Sequence, residues 1–394
     1  MTTLLIRGGT LLTPFESIDD GALFARDGLI ERVGTRTEFA GAHADVEIAA
    51  AGRIICPGFI DLQVNGGGGA LLTDEPNADA IERMTRAHAR FGTTAMLPTI
   101  VTAPEERLAE GLRAVRDATG KSLGGARVLG AHMEGPFIST IRKGAHDERF
   151  IREPDAALFA RLLEAAAGAL RIVTIAPELP YALQLYKMAV GAGTVVSIGH
   201  TDATYEEAWL GVEAGATFAT HVFNAMRPLT QRDPGVIAAL LESERITAGL
   251  IPDAVHVHPS VLALVARTKG VERTALVTDA MPPVGAPSPE FLLERRRIVV
   301  RDGACYTDEG VLAGSALSMN DAVRRMHELA MLPLIDCIRM ATETPARTLG
   351  LQNELGVLTP GAKADIVICD EHIAISQVFV GGETVYQAAA VSPK

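Results

Sequence analysis

Residues 57–69 read PGFIDLQVNGGGG, and this stretch opens an alternation that continues to about residue 280. Alternate side chains on a strand project to one side, so a His-x-His pair at positions 63 and 65 would share a metal. Gln63 and Asn65 stand there instead. Either the chain dispenses with a metal, or it holds one with residues from elsewhere.

Seven further β-rich runs follow: TTAMLPT (93–99), RVLGAHM (127–133), RIVTIAP (171–177), TVVSIGH (194–200), ATFATHV (216–222), ITAGLIP (246–252) and TALVTDA (274–280). Each precedes, sooner or later, a helical pattern, and eight βα units predict a closed (β/α)8 TIM-like barrel of α/β class over residues 55–354. In ADAIERMTRAHARFG (78–92), Ile81, Met84, His88 and Phe91 fall on one stripe, with Gly92 as the stop and Asp79 as the expected N-cap. DAALFARLLEAAAGAL (155–170) and SMNDAVRRMHELA (318–330) behave alike. The latter is the expected eighth helix, after an insertion at roughly 282–314 with a hairpin around VVRDGACY. Outside the barrel, LLIRGGTLLT, ALFARDGLIERVG, ADIVICD and SQVFVGGETVYQ are apolar runs joined through Gly-Gly and Asp-Gly, which are hairpin signals. They predict a small β-sandwich domain built from both termini, residues 1–54 and 355–394.

With 394 residues, 48% hydrophobic and 21% charged, the composition is that of a soluble globular enzyme. A net charge of -12 opposes nucleic acid and anionic membrane as partners, and makes an anionic small substrate depend on a local basic pocket. No segment approaches the roughly 20 apolar residues that span a bilayer, and the N-terminus lacks a cleavable apolar leader. Cys56, Cys305, Cys337 and Cys369 lie far apart without CxxC spacing, which predicts neither disulfides nor a cysteine metal site and fits a reducing cytoplasm.

Reactive groups of a parallel barrel gather where strands end and loops begin. That filter collects His132, Glu134, Glu178, His200, His221, Asp253, His256 and Asp279. One carboxylate and two imidazoles hold a zinc-like ion and leave a fourth position for water, so Glu134, His200 and His221 form the expected ligand set. His132 shares the face of Glu134 and competes for that role. Asp279, ending the eighth run, is placed for proton transfer. His256 is expected to meet substrate, and His258 to precede a helix opened by Pro259. His43, His88, His327 and His372 are expected to be structural or solvated. The glycines at 66–69 match no nucleotide-loop pattern and read as a tight loop over the barrel mouth. Ser315 and Ser318 lack the G-x-S-x-G context and are expected to cap or to bind backbone.

Long motifs spread along nearly the whole chain carry a resemblance. They include HMEGPFIS (132–139), SIGHTDATYEEA (197–208), ATHVFNAMRPLTQRDPG (219–235), LIPDAVHVHP (250–259), LVTDAMPPVG (276–285) and LAGSALSMNDAV (312–323). The sequence resembles the N-acetylglucosamine-6-phosphate deacetylases of the amidohydrolase superfamily. The resemblance implies a barrel with a flanking β-sandwich, a homodimer, and hydrolysis of the acetamide to glucosamine 6-phosphate and acetate. It implies one divalent metal per subunit on Glu134, His200 and His221, zinc first, with iron, cobalt and manganese as alternatives. It makes Asp279 the catalytic acid/base and places His146 on the scissile carbonyl. His256, the backbone around Asn224 and Ala225, and Arg232 from the neighbouring subunit are implied to hold the phosphate. Members with a histidine pair on the first strand bind two metals; this sequence is similar to those with Gln and Asn, which keep one. The alternatives are a deacetylase of the N-acetylgalactosamine 6-phosphate epimer, another amide hydrolase, or a silent ligand-binding barrel.

Overall fold

The structure, a computed structural model, describes residues 2–293 and 296–389. Eight parallel barrel strands overlap the eight β-rich runs, one to each: β1 (Phe59–Val64), β2 (Thr93–Val101), β3 (Ala131–Glu134), β4 (Leu170–Thr174), β5 (Val195–Ile198), β6 (Ala216–Ala219), β7 (Thr247–Leu250) and β8 (Thr274–Leu276). Each pairs with the next in sequence order. The seam between β8 and β1 is thinner. It consists of a parallel bridge between Val64 and Ala280, the Asp279 N–H donating to Gln63 O at 3.1 Å, and the Asn65 and Gly66 N–H groups donating to Ala280 O. All six residues of β1 are buried, as expected for a strand covered on both faces.

Helices α1 (Ala78–Ala89), α2 (Glu105–Ala118), α3 (Ala156–Ala166), α4 (Ala182–Gly191), α5 (Tyr205–Glu213), α6 (Gly235–Glu242), α7 (Pro259–Lys269) and α8 (Met319–Ala330) follow the strands in turn. In α1 the stripe Ile81, Met84 and His88 faces inward as the spacing predicts. Its N-cap is Asn77, not Asp79. The Asn77 side chain accepts from the Ala80 N–H at 2.9 Å, while Asp79 sits in the first turn and pairs with Arg83 at 3.0 Å.

Between β8 and α8 the insertion forms a four-stranded antiparallel sheet, Glu290–Leu293, Arg296–Arg301, Ala304–Thr307 and Leu312–Ser315. The expected hairpin turns at Asp302-Gly303, both with positive φ. Residues 294–295 of that insertion lie outside the described residues. Ser315 bridges back to Ala280, which lays this sheet beside the end of β8.

Both termini contribute to a separate eight-stranded sheet, in which Ile54–Pro57 runs antiparallel to Ile366–Cys369 and parallel to the end of Thr3–Leu12. Residues 1 and 390–394 of the expected terminal domain lie outside the described residues. Asp27-Gly28 and Gly381-Gly382 turn hairpins as predicted, each with positive φ. Gly8-Gly9 does not. It lies inside strand Thr3–Leu12, where the register slips between Arg7 and Gly9, so the pair makes a bulge. A side chain on Gly9 would meet the Arg53 carbonyl at 2.7 Å, which explains the residue without a turn. Among the described residues no helix is long and apolar enough to cross a membrane.

Candidate active site at the barrel mouth

Glu134 is the last residue of β3, His200 and His221 follow β5 and β6 by two residues, and Asp279 follows β8 by three. The last three take left-handed backbone, with φ of 49°, 29° and 52°. Side-chain-bearing residues avoid that region, so the surrounding barrel must hold it, and such conformations concentrate at functional sites. Here the sharp turn out of each strand aims the side chain over the barrel axis.

His221 Nε2 lies 2.9 Å and His200 Nε2 3.2 Å from Glu134 Oε1, and the two nitrogens are 3.1 Å apart. His200 Nδ1 stands 3.0 Å from the Arg142 carbonyl. A carbonyl only accepts, so Nδ1 carries the proton and Nε2 a lone pair. Two imidazole nitrogens at that separation repel unless a proton or cation lies between them. Burial alone would raise the Glu134 carboxyl, but His200 and His221 beside it hold it well below the usual carboxylate range. Three buried donors, all within 4.8 Å of one another, fit one divalent metal.

Asp279 faces this group across the mouth. Burial, then the Glu134 charge, pushes its carboxyl up from the ordinary value. Gln63 Nε2 donates to both Glu134 Oε1 and Asp279 Oδ1, and Asn65 Nδ2 donates to Asp279 Oδ1. His146 Nδ1 is 2.8 Å from the Thr102 hydroxyl, and its Nε2 is 4.0 Å from Glu134 Oε2. Burial and the neighbouring His200 lower its pKa to about 3, so it stays a neutral imidazole.

These groups floor a cavity of about 290 Å³ whose rim includes Leu293, Arg296 and Val311 from the inserted sheet. His256, Asn224 and Ala225 also line it. Asp253 Oδ1 accepts the Val255 and His256 N–H groups, and its Oδ2 lies 2.6 Å from His256 Nδ1, leaving Nε2 as the open nitrogen. Arg232 is exposed and takes no part in this chain's cavity wall.

Two residues gathered by the strand-end filter, His132 and Glu178, have other tasks. Both nitrogens of His132 are engaged inside the barrel, Nδ1 at 3.1 Å from Leu62 O and Nε2 at 2.8 Å from Thr174 Oγ1, so it does not join the ligand group. Glu178 turns away to accept from the Thr201 hydroxyl and the Asp202 N–H. His258 caps α7, as its Pro259 neighbour predicts. Ser315 binds backbone, donating to Thr278 O at 2.5 Å.

Sequence reasoning missed the donor role of Gln63 and Asn65, the Thr102 support of His146, and Arg296. Arg296 donates to Ala145 O at 2.6 Å and ties the inserted sheet to the loop that carries His146. Nothing local in the sequence marks these contacts, because every one joins distant segments.

The profile of the Amidohydrolase family matches residues 54–385. The N-acetylgalactosamine-6-phosphate deacetylase of Shewanella sp. (strain ANA-3) is 35% identical, with 98% of this chain and 96% of that protein covered. The N-acetylglucosamine-6-phosphate deacetylase of Haemophilus influenzae is 32% identical over 95% of this chain and 97% of its own length. Among solved structures, N-acetyl-D-glucosamine-6-phosphate deacetylase from Mycobacterium smegmatis, a mutant in complex with N-acetyl-D-glucosamine-6-phosphate, is 35% identical with a TM-score of 0.91, covering 98% of this chain and 100% of that one. With the profile spanning most of its length and relatives of this identity covering nearly all of it, the chain belongs to the amidohydrolase family.

Proposed function

We propose that this chain hydrolyses the acetamide of N-acetyl-D-glucosamine 6-phosphate, releasing acetate and D-glucosamine 6-phosphate. The observation that carries the reading is the convergence of Glu134, His200 and His221 opposite Asp279 in one buried cavity. The names of full-length relatives support the substrate class. One divalent metal per subunit, zinc first, would be held by Glu134, His200 and His221; iron, cobalt and manganese suit the same donors. Bound there, it supplies Lewis acidity toward a water and a carbonyl oxygen.

The chain's own residues do the rest. Asp279, with its raised carboxyl, takes the proton of the attacking water and returns it to the leaving nitrogen. His146, its Nδ1 placed 2.8 Å from the Thr102 hydroxyl, turns Nε2 to the acetamide carbonyl and donates to it when Thr102 donates to Nδ1. His256, held by Asp253, and the backbone around Asn224 and Ala225 receive the sugar phosphate. Arg232 reaches the phosphate of the neighbouring subunit in a homodimer, a role suited to the planar guanidinium fork. The same reading divides the chain into a barrel, 55–354, and a terminal β-sandwich domain, 1–54 and 355–394. The pairing of Thr3–Leu12 with Val46–Ala49 over one half and Ile54–Pro57 over the other supports a two-layer terminal domain. Four free, buried cysteines support a reducing, cytoplasmic setting.

The galactosamine epimer is the second reading, favoured by the 35% identity to the Shewanella enzyme named for it. Turnover of the 6-phosphates of N-acetylglucosamine, N-acetylgalactosamine and N-acetylmannosamine separates the two. With the preferred sugar, Arg232→Ala should lower kcat/KM roughly tenfold to more than a hundredfold, while the unphosphorylated sugar barely changes, because a charge-assisted contact of about 1.5–3 kcal/mol is lost. Equal losses on both sugars refute phosphate recognition by Arg232, and absence of turnover on all three phosphates refutes the substrate class.

A further inference from the structure

β1 and β8 share few backbone bonds, yet side chains from β1 and its end reach across that seam. Asp61 accepts from the Thr278 hydroxyl at 2.5 Å and from the Thr278 N–H at 3.3 Å. Gln63 Nε2 donates to Glu134 Oε1 at 3.1 Å and to Asp279 Oδ1 at 3.0 Å. Asn65 Nδ2 donates to the same Asp279 Oδ1 at 2.6 Å. Both described side-chain hydrogen bonds to Asp279 therefore fall on one oxygen, and Oδ2 receives none of the described bonds.

The other ends of the two amides sharpen this. Gln63 Oε1 and Asn65 Oδ1 are buried without a partner. An amide that only held the fold would satisfy its carbonyl as well, since a buried, unpaired acceptor costs stability. Turning either amide over would set a carbonyl oxygen against a carboxylate, so the acceptors around them fix the N–H ends inward. The fold thus leaves two carbonyls unpaired to keep three N–H contacts on the pair Glu134 and Asp279.

We propose that Gln63 and Asn65 are positioning residues for proton transfer by Asp279: their N–H groups hold Oδ1 and leave Oδ2 as the atom that takes and returns the proton. Gln63 has a second task. Its single NH2 group donates to both carboxylates, so a neutral amide keeps two anionic groups together at the place where a second cation would otherwise be needed. This inference rests on the proposed role of Asp279.

The test uses the metal-loaded enzyme and its phosphorylated substrate. Asn65→Ala and, separately, Gln63→Met should each lower kcat about tenfold to a hundredfold, the loss of one charge-assisted hydrogen bond to Asp279, with KM and metal content unchanged. In an Asp279→Asn background the same changes should cost less than about twofold, because the group they orient no longer transfers a proton. Full turnover in both single variants overturns the proposal. So does a loss confined to KM or to metal content, an equal loss in both backgrounds, or variants that do not fold, which would assign the amides to stability. Asp279→Asn with undiminished turnover removes the underlying role instead, whereas an impaired Asp279→Asn beside normal Asn65→Ala and Gln63→Met removes only the positioning.

Discussion

Two polar layers cross the barrel interior, and β3 contributes to both: His132 to the lower, Glu134 to the upper. In the lower layer every member is saturated. His132 meets Leu62 O and Thr174 Oγ1, the Thr174 hydroxyl lies 2.7 Å from that of Thr220, and the Thr220 hydroxyl lies 2.5 Å from that of Ser197. The upper layer is built differently. His200, His221 and Asp279 leave their strands on left-handed backbone, and with Glu134 their nitrogens and oxygens converge on one point without enough protons to satisfy them. Residue type does not distinguish the layers, since each has histidine. Saturation does: a buried histidine with both nitrogens engaged is architecture, and one with a nitrogen aimed at other lone pairs is a ligand.

The hardest test of that contrast is metal binding. His200→Ala should cut metal content from about one per chain to a small remainder and lower turnover on the order of 10⁴-fold or more, because water acidification and carbonyl polarisation are lost together. His132→Gln should keep its metal. Elemental analysis of both variants after dialysis settles the matter: retained metal in His200→Ala, or equal loss in both, erases the distinction between layers.

Acidification, compared between wild type and a His132 variant, probes the lower layer. Burial lowers the His132 pKa from 6.5 to about 4. The unfolded chain therefore binds this proton from about pH 6.5 downward, while the folded chain does not until about pH 4. Stability must fall as pH falls through that window and level off below it. At about 1.36 kcal/mol per pKa unit, the contribution is on the order of 3 kcal/mol. With metal removed from both proteins, denaturant titration should show wild type losing about that much more than His132→Gln between pH 6.5 and 4. Parallel acid limbs would show that His132 is not held neutral by the fold.

The upper layer was legible because its members end β-rich runs, and barrel strands expose reactive groups only there. The choice between His132 and Glu134 was not. A two-residue period puts both on one face, and nothing local says which is saturated. Gln63 and Asn65 were legible as missing ligands but not as donors, since Glu134 lies 71 positions from Gln63 and Asp279 lies 214 from Asn65. The same limit misassigned Gly8-Gly9: positive φ suits a bulge as well as a turn, and only the neighbouring strand decides. At α1 the cap is Asn77, two residues before the expected Asp79, because it is the Asn77 side chain that folds back on the Ala80 N–H, a matter of where the helix begins.

The smallest expected effect concerns the hydroxyl chain itself. Thr220 is fully buried, and its hydroxyl is the link between Thr174 and Ser197. Thr220→Val keeps shape and β-branching, so packing around β6 should survive while the link is removed. Thr174 still has His132, whereas the Ser197 hydroxyl loses its described partner in the chain. Leaving one buried hydroxyl unpaired should cost about 1–3 kcal/mol of stability. Metal content should not follow it, although His221 is the next residue in the chain, because the ligand atoms sit in the other layer. Denaturant midpoints and metal analysis on the same preparation test both halves. A variant with unchanged stability would show that the chain of hydroxyls contributes nothing net, and one that loses its metal would show that the two layers are coupled through β6 instead of stacked independently.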